Sequence, residues 1–264
     1  MKKYLVLLAA CVLIASGCNR SSKDPNAFST NTITVEDSVQ FPPELMEEWM
    51  SDNTARYESV VDAPVTENED LRDNIISWIS GLLSENYDGD SQDVKAMVEF
   101  DRDEFLSPET GSPQSFIQNH IKMVEDNDRY VTYYCKSWLY MGGAHGTSYE
   151  EGATFSKNTG ERFTFKMFKN PDLLGEMIKV ALQKQYFEPL LTGTDMTFEE
   201  VVYSEVAESF PLPTAEPWIQ NDSVFFVYEN YEIAAYALGL PQCGIPYEKL
   251  KTDLTEEGLT FFGK

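Results

Sequence analysis

Between residues 129 and 165 the chain leaves itself few ways to fold. Arg129 to Met141 carries Tyr130, Tyr133, Tyr134 and Tyr140 among Val131, Thr132 and Trp138, the β-branched and aromatic content of a strand. Gly142-Gly143-Ala144-His145-Gly146 interrupts the run, and Thr147 to Ser156 resumes it. Asn158-Thr159-Gly160 is a second turn signal, ahead of a third strand expected at Arg162 to Phe165. Strands joined this closely pair antiparallel, so the region reads as a β-meander. Cys135 alternates with Val131, Tyr133 and Leu139, which gives the meander an apolar face that something must cover.

Helical periods supply the cover. Leu71, Ile75, Ile79 and Leu82, with Ile76 and Leu83, trace one helical face behind an Asn68 cap. Val94, Met97, Val98 and Phe105 predict a second helix. Phe116, Ile117, Ile121 and Val124 predict a third, entered at Pro113 and closed by Asn127. Leu174, Met177, Ile178, Ala181, Leu182 and Tyr186 predict a fourth, with Pro189 limiting its end. Short strands are expected at Thr32 to Val35 and Tyr57 to Val61, in one sheet, and at Val224 to Tyr228 after an Asn221-Asp222 turn. The chain is therefore expected to be α+β, an antiparallel β-meander or sheet packed with several helices. With 264 residues, 42% of them hydrophobic, it can bury such a core.

The N-terminus reads as an export signal. Lys2 and Lys3 precede an apolar run from Tyr4 to Ala15, which ends in Ala15-Ser16-Gly17-Cys18. The run is too short for a bilayer-spanning helix, which needs ~20 residues. Small residues ahead of a cysteine fit a bacterial lipobox, so residues 1–17 are expected to be removed and Cys18 to become the lipid-modified first residue. Ordinary cleavage near Ala15 is the alternative. Residues 18–29 are polar and read as a lipidated tether. The expected location is the bacterial cell envelope, at the outer membrane or cell surface, where acyl chains would hold the protein on a membrane. In an exported protein the two remaining cysteines, Cys135 and Cys243, are a candidate disulfide, and two buried thiols are the alternative.

A family resemblance enters at Met141-Gly142-Gly143-Ala144-His145-Gly146 and at Thr159-Gly160-Glu161-Arg162-Phe163-Thr164-Phe165. With Tyr228 to Gly239 and Ile245-Pro246-Tyr247 following in order, these blocks resemble the extracellular domain of RsiV-type anti-sigma factors. Tyr57 to Thr66 and the helix after it resemble the domain that precedes it in RsiV and in some peptidoglycan deacetylases. The resemblance implies an N-terminal α+β subdomain over 30–128 packed on an RsiV-like C-terminal α+β domain over 129–264. It also implies lysozyme as a partner, since the RsiV domain is a lysozyme receptor that covers the enzyme's cleft. The chain departs from the family in its lipoprotein-type leader and in Ala235, where the family commonly has proline.

The residues carry little sign of catalysis. Three glycines among Gly142, Gly143, Ala144, His145 and Gly146 describe a tight turn or bulge first. A chemical role for His145 needs a partner, and the C-terminal block supplies Glu232 and Tyr236 as candidates, with Tyr231 beside them. His120, four residues after Phe116, reads as a partly buried histidine. Neither histidine has metal-ligand spacing, so no metal is expected. Asp88-Gly89-Asp90 lacks the rest of a calcium loop. No P-loop, Rossmann fingerprint or Gly-x-Ser-x-Gly is present, and no cofactor is expected.

Charge excludes one class of partner and leaves two readings of the acidic surface, a cationic partner or a solvated face that keeps the protein soluble. Forty-four acidic residues against 20 Lys and Arg, a formal −24, oppose nucleic acid. They suit a cationic partner such as lysozyme or another basic wall-active protein. The favoured expectation is a lipid-anchored envelope binding protein rather than an enzyme. The alternative is a protein that binds or modifies peptidoglycan or another cell-wall polysaccharide, with His145 and Glu232 as an acid–base pair.

Overall fold

The computed structural model describes residues 27–264 apart from 49, 84, 85 and 209, so the leader and Cys18 lie outside the described residues. Strand β1 (Ser29–Gln40) pairs antiparallel with β2 (Thr54–Val65) over their full lengths. Helices α1 (Glu69–Leu82) and α2 (Val94–Phe105) follow. Asn68 caps α1 by accepting from the Leu71 N–H at 3.1 Å, and Asp93 caps α2 by accepting from the Ala96 N–H at 3.0 Å. The sheet continues with β3 (Phe116–Asp126), β4 (Tyr130–Tyr140) and β5 (Thr147–Ser156), in the order β1-β2-β3-β4-β5. Only β2 and β3 run parallel, because the two helices carry the chain back across the sheet between them. The expected junction at 128–129 falls in the turn between β3 and β4 of this sheet.

One face of the sheet packs on the helices. Val35, Tyr57, Val61, Ile121, Val131, Tyr133 and Cys135 meet Leu71, Ile75, Ile79, Val94, Met97 and Val98 in the first core. The helix expected over Phe116 to Val124 is instead β3. Ile117 and Ile121 are four residues apart, a spacing that a helical face and a strand face both satisfy. The register decides between them: Ile117 and Ile121 lie opposite Leu139 and Cys135.

A second core forms C-terminally around an antiparallel sheet of β6 (Trp218–Gln220), β7 (Ser223–Val227) and β8 (Gln242–Pro246). Asn221 and Asp222, at φ 50° and 54°, make the β6–β7 turn, a conformation Asn and Asp tolerate well. Helix α3 (Pro171–Leu182) buries Leu174, Ile178 and Leu182 in this core with Phe163, Phe187, Phe226 and Ile245. Pro189 does not stop the helix. A π turn over Gln183–Phe187 leads into a last helical turn, Glu188–Leu191, and such a wide turn accommodates the ring and the missing N–H. The strand expected at Arg162 to Phe165 is a single bridge, Arg162 with Phe155. The chain then leaves the first sheet to bury Phe163, and the Phe165 N–H donates to Glu216 at 2.8 Å.

Two threonines join the sheets. The Thr132 hydroxyl donates to the Ile219 carbonyl at 2.8 Å, the Ile219 N–H donates to Thr154 Oγ1 at 2.8 Å, and the two hydroxyls are 2.8 Å apart. If Thr154 donates to Thr132, the three groups close a ring in which each hydroxyl donates once and accepts once. Beside the ring the Trp218 indole lies on Gly152, where an added Cβ would come within 2.2 Å of it.

Cys135 and Cys243 are free, buried thiols in different cores, so no disulfide joins them. Burial pushes both thiols up to about 12, which leaves them protonated and unreactive at neutral pH. Among the described residues no helix is long and apolar enough to cross a membrane. Replacing Thr154 with Val keeps the shape and leaves the Ile219 N–H buried without its acceptor. That change should cost ~1–3 kcal/mol, read as a lower urea midpoint at unchanged slope, and Thr154→Ser should recover most of it.

Candidate functional site

The glycine segment closes the β4–β5 hairpin. Gly142 and Gly143 sit at φ 94° and 93°, where a side chain is strained, and the Tyr140 hydroxyl donates to the Gly143 carbonyl at 2.9 Å. Gly146 is needed for space instead. A Cβ there would come within 2.5 Å of the Trp138 ring and 2.7 Å of the Leu139 carbonyl oxygen. This turn presents His145 at the surface, beside the C-terminal loop.

Three rings then stack. His145 lies on Tyr236 with centroids 4.1 Å apart and planes 23° apart, and Tyr231 follows at 5.8 Å from Tyr236. The Tyr236 hydroxyl donates to the Gly146 carbonyl at 2.6 Å, and His145 Nδ1 is 3.0 Å from the same oxygen. Tyr231 is 57% exposed and sits at φ 67°. For a bulky residue that conformation costs on the order of 1–3 kcal/mol. Asn230 anchors the loop by donating from Nδ2 to the Ser148 carbonyl at 2.8 Å.

Glu232 belongs to the loop's internal frame. One of its oxygens accepts from the Thr214 N–H at 2.7 Å and the Thr214 hydroxyl at 2.9 Å; the other accepts from the Glu229 N–H at 2.8 Å. Of the two partners expected for His145, the structure gives it Tyr236, and both oxygens of Glu232 are used elsewhere. Ala235 has φ −65° and ψ 148°, values a proline adopts. Proline at this position would therefore leave the turn unchanged.

Carboxylates crowd the edge of the stack. Burial, then the charges of Glu232 and Glu151, push the Glu229 carboxyl above its ordinary range. Glu151 is itself tied down, accepting from Trp78 Nε1 at 2.6 Å, from Arg162 at 2.7 Å and from the Tyr149 hydroxyl.

The remaining sequence candidates lie apart from the stack. His120 is on β3, with Nε2 3.1 Å from Glu58. Asp90 closes a local turn, accepting from the Gln92 N–H at 2.9 Å. Among the described residues no group of three or more His, Cys, Asp or Glu could hold a metal ion. Sequence reading passed over Thr214 and Asn230. Thr214 lies between Pro213 and Pro217 in a stretch with no period, and nothing local there signals that a carboxylate 18 residues away needs its donors.

No family model matches the chain, and no curated protein matches it. Among solved structures it is similar to a member of the DUF3298 family from Bacteroides fragilis, with a TM-score of 0.66 and 17% identity over 91% of this chain and 98% of that one. It is also similar to a DUF3298 family protein from Pseudomonas aeruginosa, with a TM-score of 0.55 and 15% identity over 87% of this chain and 96% of that one. At these identities the likeness is one of fold.

The raised Glu229 carboxyl sets a pH dependence. A carboxyl that holds its proton more tightly folded than unfolded favours the fold at acid pH, and that contribution is lost as pH rises through the folded value. Glu229→Gln should therefore raise the thermal midpoint at neutral pH and leave it nearly unchanged at about pH 4. Differential scanning calorimetry at the two pH values reads the difference.

Proposed function

We propose that this protein is an exported binding protein, held to the bacterial envelope by lipid at Cys18, that docks a basic wall-active protein of the lysozyme class on the His145–Tyr236–Tyr231 stack. The observation that carries the reading is Tyr231, a large ring kept exposed at a strained φ on a chain of charge −24. Packing does not require it there, and strain held at an exposed aromatic residue is a mark of a contact surface. The acidic charge steers a cationic partner, and an approaching cation would relieve the repulsion of Glu232 and Glu151 on Glu229, two residues before Tyr231. The sequence resemblance to RsiV-type ectodomains supports the same class of partner. The enzyme reading draws no support from the geometry, since its acid–base pair needs Glu232 beside His145 and Glu232 has other bonds.

The test is a titration with hen egg-white lysozyme and, as an equally basic control, cytochrome c, at low and physiological salt. The expected result is saturable binding to lysozyme alone with loss of muramidase activity, and an association rate that falls with salt. Tyr231→Asn removes the ring and suits the positive φ. It should weaken binding by ~10-fold or more without lowering the thermal midpoint. Equal, salt-erased binding of both proteins, or binding of neither, overturns the reading.

A further inference from the structure

Among the described residues, the second face of the five-stranded sheet is only half covered. The helices lie on the side of Tyr57, Ile121 and Tyr133, and on the other side Thr34, Glu36 and Ser38 of β1 are all exposed. The second sheet reaches that side only at its β4–β5 end, where Trp218 lies on Gly152 and Ile219 bonds Thr132 and Thr154. Over the open half the register lines up Glu36, Glu58, Gln118, Trp138 and Ser148, one from each strand. In the next row Phe116 and Tyr140 are direct neighbours.

Two properties of this half-face stand out on so acidic a chain. Phe116, Trp138 and Tyr140 belong to none of the hydrophobic clusters of the described residues, so core packing among those residues does not explain three aromatic residues side by side. Trp138 is 37% exposed, and the backbone of the Gly146 turn backs its ring. Apart from the exposed Glu36, the charged groups are also satisfied locally. Glu58 accepts from Gln118 at 2.8 Å and lies 3.1 Å from His120, Lys122 pairs with Asp62 at 3.3 Å, and Lys136 pairs with Glu150 at 3.0 Å. A cationic partner gains little from paired carboxylates, and a net −24 opposes a polyanion. An uncharged ligand meets neither penalty.

We propose that the open half of this face binds an uncharged, β-linked polysaccharide chain laid across the strands. The apolar C–H faces of its sugars would stack on Trp138, Tyr140 and Phe116, and its hydroxyls would bond Gln118 and Glu58. Neighbouring strands lie ~4.8 Å apart, close to the length of one β-linked pyranose, so successive strands meet successive sugars. The site adjoins the turn that carries His145, through Trp138 on Gly146 and Tyr140 on Gly143, but it uses other rings and does not depend on a protein partner binding the stack.

Calorimetric titration of the intact protein with cellohexaose and with the hexamer of N-acetylglucosamine tests it. The expected result is saturable binding of at least one hexasaccharide, unchanged by salt because no charge is exchanged. Trp138→Ala should weaken it ~10-fold or more, and Tyr231→Asn should leave it unchanged. If Trp138→Ala lowers the thermal midpoint, Phe116→Ser, outside every core cluster, is read in its place: loss of binding supports the site and retention overturns it. Failure of both hexasaccharides to bind, or sedimentation as a dimer that Trp138→Ala dissociates, also overturns it.

Discussion

The hydrogen-bonded ring of Thr132, Thr154 and the Ile219 backbone is the constraint on which the other features depend. All three residues are buried, so each donor and acceptor must find its partner inside the protein. Threonine fits because its hydroxyl both donates and accepts, and because its branched Cβ suits a strand. The ring fixes where β6 crosses β4 and β5. Trp218 then falls on Gly152, and the loop after β7 comes down on the edge of β5, where Asn230 reaches the Ser148 carbonyl. That placement, with the Tyr236 hydroxyl on the Gly146 carbonyl, brings His145 against Tyr236. The two residues are 91 positions apart, and each alone is an ordinary surface ring.

The stack is assembled against local preference. Tyr231 is strained, and Glu229 is crowded by two other carboxylates. Gly142 and Gly143 relieve the strain of the facing turn, while Gly146 makes room for Trp138. Neighbouring elements hold this arrangement in place, through the three bonds of Glu232 and the Tyr236 hydroxyl on Gly146. The surface gives up stability in this way, and it is this cost that the proposed docking role accounts for.

Some of this was legible in the residues. Asn68 before Leu71, Ile75 and Ile79 announced α1, because a cap and a period are local properties. The glycine break after the tyrosine-rich run announced the β4–β5 hairpin, and Asn221-Asp222 announced the β6–β7 turn. Reading failed where two structures share one pattern. Ile117 and Ile121 satisfy both helix and strand, and only pairing with β2 and β4 chose the strand. Pro189 is a helix breaker in sequence, and the wide turn before it lets the helix continue.

By itself, the sequence determined the α+β class, the Asn68 cap and the hairpin turns, because these follow from local dihedral preferences and from short apolar periods. Tertiary structure decided which partner His145 takes, that Cys135 and Cys243 belong to different cores, and that half of one sheet face stays open. Those outcomes depend on how residues far apart in the chain are brought together. Long-range placement is set by the mutual satisfaction of buried groups, such as two threonines and one backbone amide, which leaves no pattern in a single sequence.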